Sequence, residues 1–178
     1  MDPTDDPTYG GQQLTFFNAH YDNWCYLPMV TTIQFDDEPE QYLFTCVLRP
    51  GNAPATLGAL GILYRVLQKL TDAFPKAEIL VRLDGGFASP EIFEYLEDAR
   101  LYYVIAMAEN SVLARFAEPL MKKARRKSKA SGKTEHVYGE CRYAARSWNR
   151  RRRVVIKAEV VRLEGREPKD NARFVVTN

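Results

Sequence analysis

Long apolar runs are missing from this chain. No stretch of its 178 residues approaches the ~20 consecutive apolar positions that a membrane-spanning helix needs. An apolar leader is missing too: Met1-Asp2-Pro3-Thr4-Asp5-Asp6 is acidic where a signal peptide is basic and then hydrophobic, so a cytoplasmic location with no membrane partner is expected. Cysteine is scarce and odd in number. Cys25, Cys46 and Cys141 lack the short spacings that zinc requires, which predicts reduced core thiols. His20 and His136 are equally isolated, and neither completes a metal-ligand pattern. What remains is a chain of ordinary hydrophobic content, long enough to bury one core.

The stretch Ile79-Leu80-Val81-Arg82-Leu83-Asp84-Gly85-Gly86-Phe87 runs apolar residues into a carboxylate and a glycine pair. It predicts a strand covered on both faces that delivers Asp84 to its carboxyl end, where open α/β sheets place their chemistry. Ser89-Pro90-Glu91 then opens a helix over 90–100: serine caps, proline suits the first turn, and glutamate favours the positive end of the dipole. By itself, an Asp at a strand end is most often a turn former or helix cap, and Asp84 alone does not make a site. The strand expected at 101–107 would lie parallel to the first through a right-handed crossover.

Elsewhere, Cys25 to Phe35 and Gln41 to Leu48 predict an antiparallel hairpin around the acidic stretch 36–40. A helix from about Pro54 to Ala73 places Leu57, Leu60, Leu63, Tyr64, Leu67, Leu70 and Phe74 on one stripe, expected to be core, with Gly58 and Gly61 allowing close approach. In the acidic first stretch, extended backbone puts Asp2, Thr4 and Asp6 on one face, and its prolines allow only the first few residues to pair with a sheet. Strands are expected over 137–148, 154–163 and 173–177.

The small net charge of +2 conceals a division. Residues 115–157 hold fifteen Lys/Arg against three Glu, an excess of twelve, and the remainder is correspondingly acidic. The cluster Lys122-Lys123-Ala124-Arg125-Arg126-Lys127 and the run Arg150-Arg151-Arg152-Arg153 beside Trp148 read either as solvated faces or as a nucleic-acid surface. In the second reading the cations neutralise phosphates and the indole stacks on an unpaired base. A helical stretch is expected from Ser111 into the first cluster, running into a mobile basic loop at Ser131-Gly132-Lys133.

Taken in order, several motifs resemble a bacterial insertion-sequence transposase of the DDE superfamily, with an RNase H-like fold. They are Asp2-Pro3-Thr4-Asp5-Asp6-Pro7, Cys25-Tyr26-Leu27-Pro28, Leu48-Arg49-Pro50-Gly51-Asn52, Arg82-Leu83-Asp84-Gly85-Gly86-Phe87, Ser147-Trp148 before Arg152-Arg153-Val154-Val155, and Arg173-Phe174-Val175-Val176-Thr177. The resemblance implies an α/β RNase H-like mixed sheet flanked by helices, one domain over 1–178, with a basic β-rich insertion at about 111–165. It implies that Asp2 and Asp84 hold a pair of Mg²⁺ or Mn²⁺ ions for DNA strand cleavage and transfer at transposon ends and a target, in a synaptic homodimer. A non-catalytic DNA-binding remnant and an RNase H-like nuclease are the alternatives. The family often has serine where Gly85 stands. Its third carboxylate is a glutamate on a helix after the strand matching 173–177, a place that Glu159 and Glu164 do not match. With only Met1 before Asp2 and the chain closing at Asn178, truncation and a deficient metal site are expected.

Overall fold

The computed structural model describes residues 1–178, which divide into two compact units, Met1–Ala77 and Glu78–Asn178. No helix is long and apolar enough to cross a membrane.

The first unit contains two three-stranded sheets. Strands β1 (Asp2–Pro3), β5 (Met29–Ile33) and β6 (Tyr42–Val47) form one antiparallel sheet in the order β1-β5-β6. Strands β2 (Asp6–Pro7), β3 (Phe16–Asn18) and β4 (Asn23–Tyr26) form the other in the order β2-β4-β3. The expected hairpin is present as β5 and β6, and Leu27-Pro28 separates β5 from β4. Asp2 pairs with Val30 on an edge strand that stops at Pro3, as two nearby prolines dictate.

The loop Arg49-Pro50-Gly51 joins these pieces. Arg49 is buried, with Nε donating to Leu27 O at 3.0 Å and Nη1 to the carbonyls of Pro54, Ala55 and Leu57 at 3.0–3.2 Å. It has no carboxylate partner, and burial lowers its pKa. Gly51 is fixed by space: an added Cβ would lie 2.0 Å from Cys25 O and 2.8 Å from Phe16 O.

Helix α1 (Ala59–Ala73) follows, starting later than its sequence suggests because Ala53–Gly58 is held as turns. Its stripe is narrower than expected. Ala59, Leu63, Val66 and Leu67 are buried, whereas Leu57, Leu60, Tyr64 and Phe74 are exposed. Gly58 and Gly61 have no atom within 4 Å of an added Cβ, so neither marks a close approach.

The second unit is a mixed five-stranded sheet in the order β7-β8-β11-β10-β9, formed by β7 (Leu80–Leu83), β8 (Tyr102–Met107), β9 (Glu135–Tyr143), β10 (Arg152–Val161) and β11 (Lys169–Thr177). The α/β expectation holds. Strands β7 and β8 are parallel as predicted, joined through helix α2 (Pro90–Asp98). The other pairings are antiparallel, so the β-rich basic segment joins the same sheet as Asp84's strand.

Strand β7 is not covered on both faces. Val81 and Leu83 are buried but Leu80 and Arg82 are exposed, since an edge strand with helices packed on one side has only one face to bury. Helix α3 (Ser111–Ser131) lays Leu113, Ala117, Met121, Ala124 and Ser128 inward, and packs Met121 and Ala124 against Ala158 and Val160 of β10.

The helix expected from Ser111 into the basic cluster is present, and it takes in Ser131 from the expected loop as its last residue. Positions 122–131 complete α3, which stops at Gly132 in the left-handed region (φ 70°), where its N–H bonds Ser128 O. The predicted strand through Trp148 ends at Tyr143. Residues 144–151 turn, with Trp148 N bonding Ala145 O at 3.1 Å. The expectation of core thiols holds for Cys25 and fails for Cys46, which is exposed; Cys141 is half-buried, and all three are free.

Gly51→Ala is expected to destabilise the first unit by about 3 kcal/mol or more, because the new methyl meets backbone oxygens that cannot rotate away. Thermal or urea unfolding followed by circular dichroism measures it, and a loss below about 1 kcal/mol would contradict the close approach.

Candidate functional site

Asp84 ends β7 in extended backbone (φ −78°, ψ −179°) and starts a single helical turn, Gly85–Phe87. Its Oδ1 accepts the Gly86 N–H at 2.9 Å, and Phe87 anchors the turn with 0% exposure. Ser89 then caps α2 by accepting from Ile92 N, with Pro90 in the first turn, as its sequence predicts. The cap reading and the ligand reading of Asp84 are compatible, because capping uses one oxygen and the side chain is exposed. Serine would fit at position 85: an added Cβ there makes only ordinary contact, 3.7 Å from Ala106 O.

Asp2 is exposed on β1 in the other unit. Within neither unit do three or more His, Cys, Asp or Glu side chains gather closely enough to hold a metal ion. Glu159 lies on β10 with both oxygens engaged, by Lys157 Nζ at 2.6 Å and Asn171 Nδ2 at 2.9 Å. The Lys157 contact holds its pKa below the usual carboxylate range.

The basic residues separate into two populations. Arg125 bridges Glu118 at 3.0 Å and Asp170 at 2.6 Å, and Arg153 pairs with Glu140 at 2.7 Å. Arg152 is 3% exposed and gives Nε to Glu97 at 2.7 Å and Nη2 to the same carboxylate at 2.9 Å. Arg150 joins on Glu97 from the surface.

Trp148 is 9% exposed, its ring 5.0 Å from Phe93 and 5.4 Å from Tyr143. The Arg152 guanidinium sits 5.0 Å from the Phe93 ring centre and 5.4 Å from that of Trp148. By contrast, Lys122, Lys123, Arg126 and Lys127 are exposed on the outer face of α3 and make no ion pair, and Arg151 is exposed in the turn before β10.

Sequence reasoning missed Glu97. Burial by itself would raise its pKa, but hydrogen bonds from Arg152, Arg150 and Tyr103 outweigh that and hold it at about 2. The Tyr103 hydroxyl donates to it at 2.8 Å, and burial followed by this carboxylate pushes the tyrosine pKa up. No local signal marks Glu97, since its arginines lie 53 and 55 residues away. Glu118 was more accessible to sequence reasoning, because a seven-residue separation returns to nearly the same helix face as Arg125.

An α/β unit that carries an exposed carboxylate at the carboxyl end of a parallel strand, and an unpaired cationic helix face, has the parts of a domain that handles polyanions. The family comparison agrees. A model described as transposase DDE domain group 1 matches residues 1–178, and the chain belongs to that family. No curated protein and no solved structure shows a significant match.

The Glu97 cluster generates a prediction about pH. Its folded pKa lies below the ordinary 4.5, so its contribution is fully present above about pH 4.5 and lost as pH falls toward 2. Glu97→Gln should cost about 3–5 kcal/mol at pH 7, by leaving Arg152 buried without its counter-charge. It should also flatten the acid limb of the stability curve. Urea titrations at a series of pH values check both, and an unchanged acid limb would remove Glu97 as its source.

Proposed function

We propose that this chain processes DNA as part of a transposase, with Asp2 and Asp84 as carboxylate ligands of divalent cations and the outer face of α3 as a surface for the DNA backbone. The observation that carries the proposal is the position of Asp84, at the carboxyl end of a strand parallel to its neighbour, in a chain that belongs to a transposase DDE family. The donors fit Mg²⁺ or Mn²⁺ in kind: carboxylate oxygens are hard ligands, and Asp84 commits only Oδ1 to Gly86. Bound cations would supply an activated water or 3′-hydroxyl and a counter-charge for the leaving oxygen.

The residues of the chain do the rest. A side chain at Gly85 would meet only ordinary contacts, Phe87 anchors the turn, Ser89 caps the helix after it, and α3 neutralises phosphates. The α3 charges suit any sequence, since phosphates are common to all DNA. The first unit holds nine Asp/Glu against four Lys/Arg and the second fourteen against twenty-one, which favours the second as the DNA-bearing unit. Cleavage and strand transfer at the ends of a bacterial insertion sequence, by a synaptic homodimer with an RNase H-like core, is the finer reading that the family membership supports.

A second reading, DNA binding without chemistry, is favoured by the lack of a three-ligand cluster within either unit. One substitution separates the two. Asn caps as well as Asp, so Asp84→Asn should change stability by less than about 0.5 kcal/mol. If Asp84 is a ligand, the same change should weaken Mn²⁺ binding at least about tenfold, as seen by calorimetry, and abolish Mn²⁺-dependent nicking of a plasmid. Equal Mn²⁺ affinity in the two proteins would defeat the ligand assignment and leave the binding reading.

The helix face has its own test. Replacing Lys122, Lys123, Arg126 and Lys127 by alanine, the best helix former, should leave α3 intact and lower the slope of log K against log salt by up to about 3.6. Arg125→Ala should act mainly on stability, because its guanidinium is already engaged by Glu118 and Asp170. Fluorescence anisotropy with a labelled duplex reads the slopes, and equal slopes for the quadruple variant and the parent would exclude α3 as the surface.

A further inference from the structure

Two guanidinium groups converge on one carboxylate where β10 begins. Glu97 accepts Arg152 Nε on Oε1 and Arg152 Nη2 on Oε2, and Oε2 also accepts Arg150 Nε at 3.1 Å and Arg150 Nη2. The arginines are not equivalent, since the Arg152 side chain is 2% exposed and that of Arg150 is 56% exposed. Arg152 is further held by the Phe93 and Trp148 rings and by Asn149 Oδ1 at 3.2 Å. Its departure would strand a carboxylate and a guanidinium out of water.

Arg150 is different. With Glu97 neutralised by Arg152, it is a surplus cation, and water screens its half-exposed pairing so that little holds it in place. A DNA phosphate offers the same bidentate geometry and a gain from released counterions. The turn would keep its shape after such a transfer, because Trp148 N remains bonded to Ala145 O and Arg152 remains on Glu97.

We propose that Arg150 exchanges partners on binding, leaving Glu97 for a backbone phosphate of DNA while Arg152 stays, which makes the turn before β10 a phosphate contact distinct from α3. This rests on the reading of the chain as DNA-binding. Glu97 keeps Arg150 extended at the surface until DNA arrives, and Arg152 is a positioning residue that fixes the turn from which it reaches.

The test uses the full chain, a labelled duplex of unrelated sequence, and the variants Arg150→Ala, Arg150→Lys, Arg152→Ala and the alanine quadruple of α3. Arg150→Ala should lower the salt slope by about 0.9, one phosphate contact, with Tm unchanged. Arg150→Lys should restore the slope, and Arg152→Ala should lower Tm sharply. A flattened slope for the α3 quadruple with an unchanged slope for Arg150→Ala overturns the exchange and leaves the DNA reading intact. A fall in Tm for Arg150→Ala also overturns it, since the residue would then be structural. No duplex binding by any of the proteins removes the DNA reading itself. Inorganic phosphate serves as the control for source: an Arg150-dependent rise in Tm with free phosphate would assign the turn to small anions and overturn the DNA exchange.

Discussion

The buried pairing of Glu97 with Arg152 is the contact around which the second unit is arranged. Removing two charges from water is costly, and the cost is offset by the pairing and by hydrogen bonds to the remaining donors and acceptors, although Arg152 Nη1 is buried without one. Glu97 is held by Arg152 at the start of β10 and by Tyr103 on β8, and the half-exposed Arg150 in the turn before β10 adds to them from the surface. The last turn of α2 is thereby tied both to the parallel half of the sheet and to the antiparallel half. Phe93, one turn earlier on the same helix, adds its ring to Tyr103, Trp148 and Arg152. Register follows from this, since β10 shifted by one residue would point Arg152 to the other face of the sheet.

That contact also changes the meaning of the basic segment. Counted along the chain, residues 115–157 carry a large positive excess, and carboxylates both inside that segment and elsewhere in the unit pair with some of its cations. Arg125 meets Glu118 and Asp170, Arg152 and Arg150 meet Glu97, and Arg153 meets Glu140. The charge left for a polyanion is concentrated on the outer face of α3, opposite the apolar stripe that holds the helix on β10. Trp148, adjacent to the arginine run in sequence, is turned into packing with Phe93 and Tyr143.

The first unit accommodates a buried guanidinium differently. Arg49 has no acid and is solvated by four backbone carbonyls, three of them in the turns before α1. Leu27 both accepts from Arg49 Nε and donates its N–H to Arg49 O at 3.1 Å, so this side chain fixes the joint between β4 and β5. Strand β5 in turn pairs with β1, which carries Asp2. The adjoining Gly51 is there because the chain passes against Cys25 O with no room for a Cβ. Those two neighbours, one charged and one without a side chain, make the Arg49-Pro50-Gly51 loop a junction rather than a surface turn.

The sequence by itself determined what depends on near neighbours. The cap at Ser89, the proline after it, the carboxylate at the end of β7, the β5–β6 hairpin and the parallel β7–β8 pair follow from residue types within a few positions of one another. Tertiary structure decided what depends on distant partners or on position in a sheet. Alternation of burial along β7 came from its place at the edge, and the narrow stripe of α1 from what packs on it. Whether an arginine is a free cation or half of an ion pair was set by acids up to 55 residues away. Electrostatic pairing acts through space at a few ångströms, and a linear reading of charge has no access to that distance.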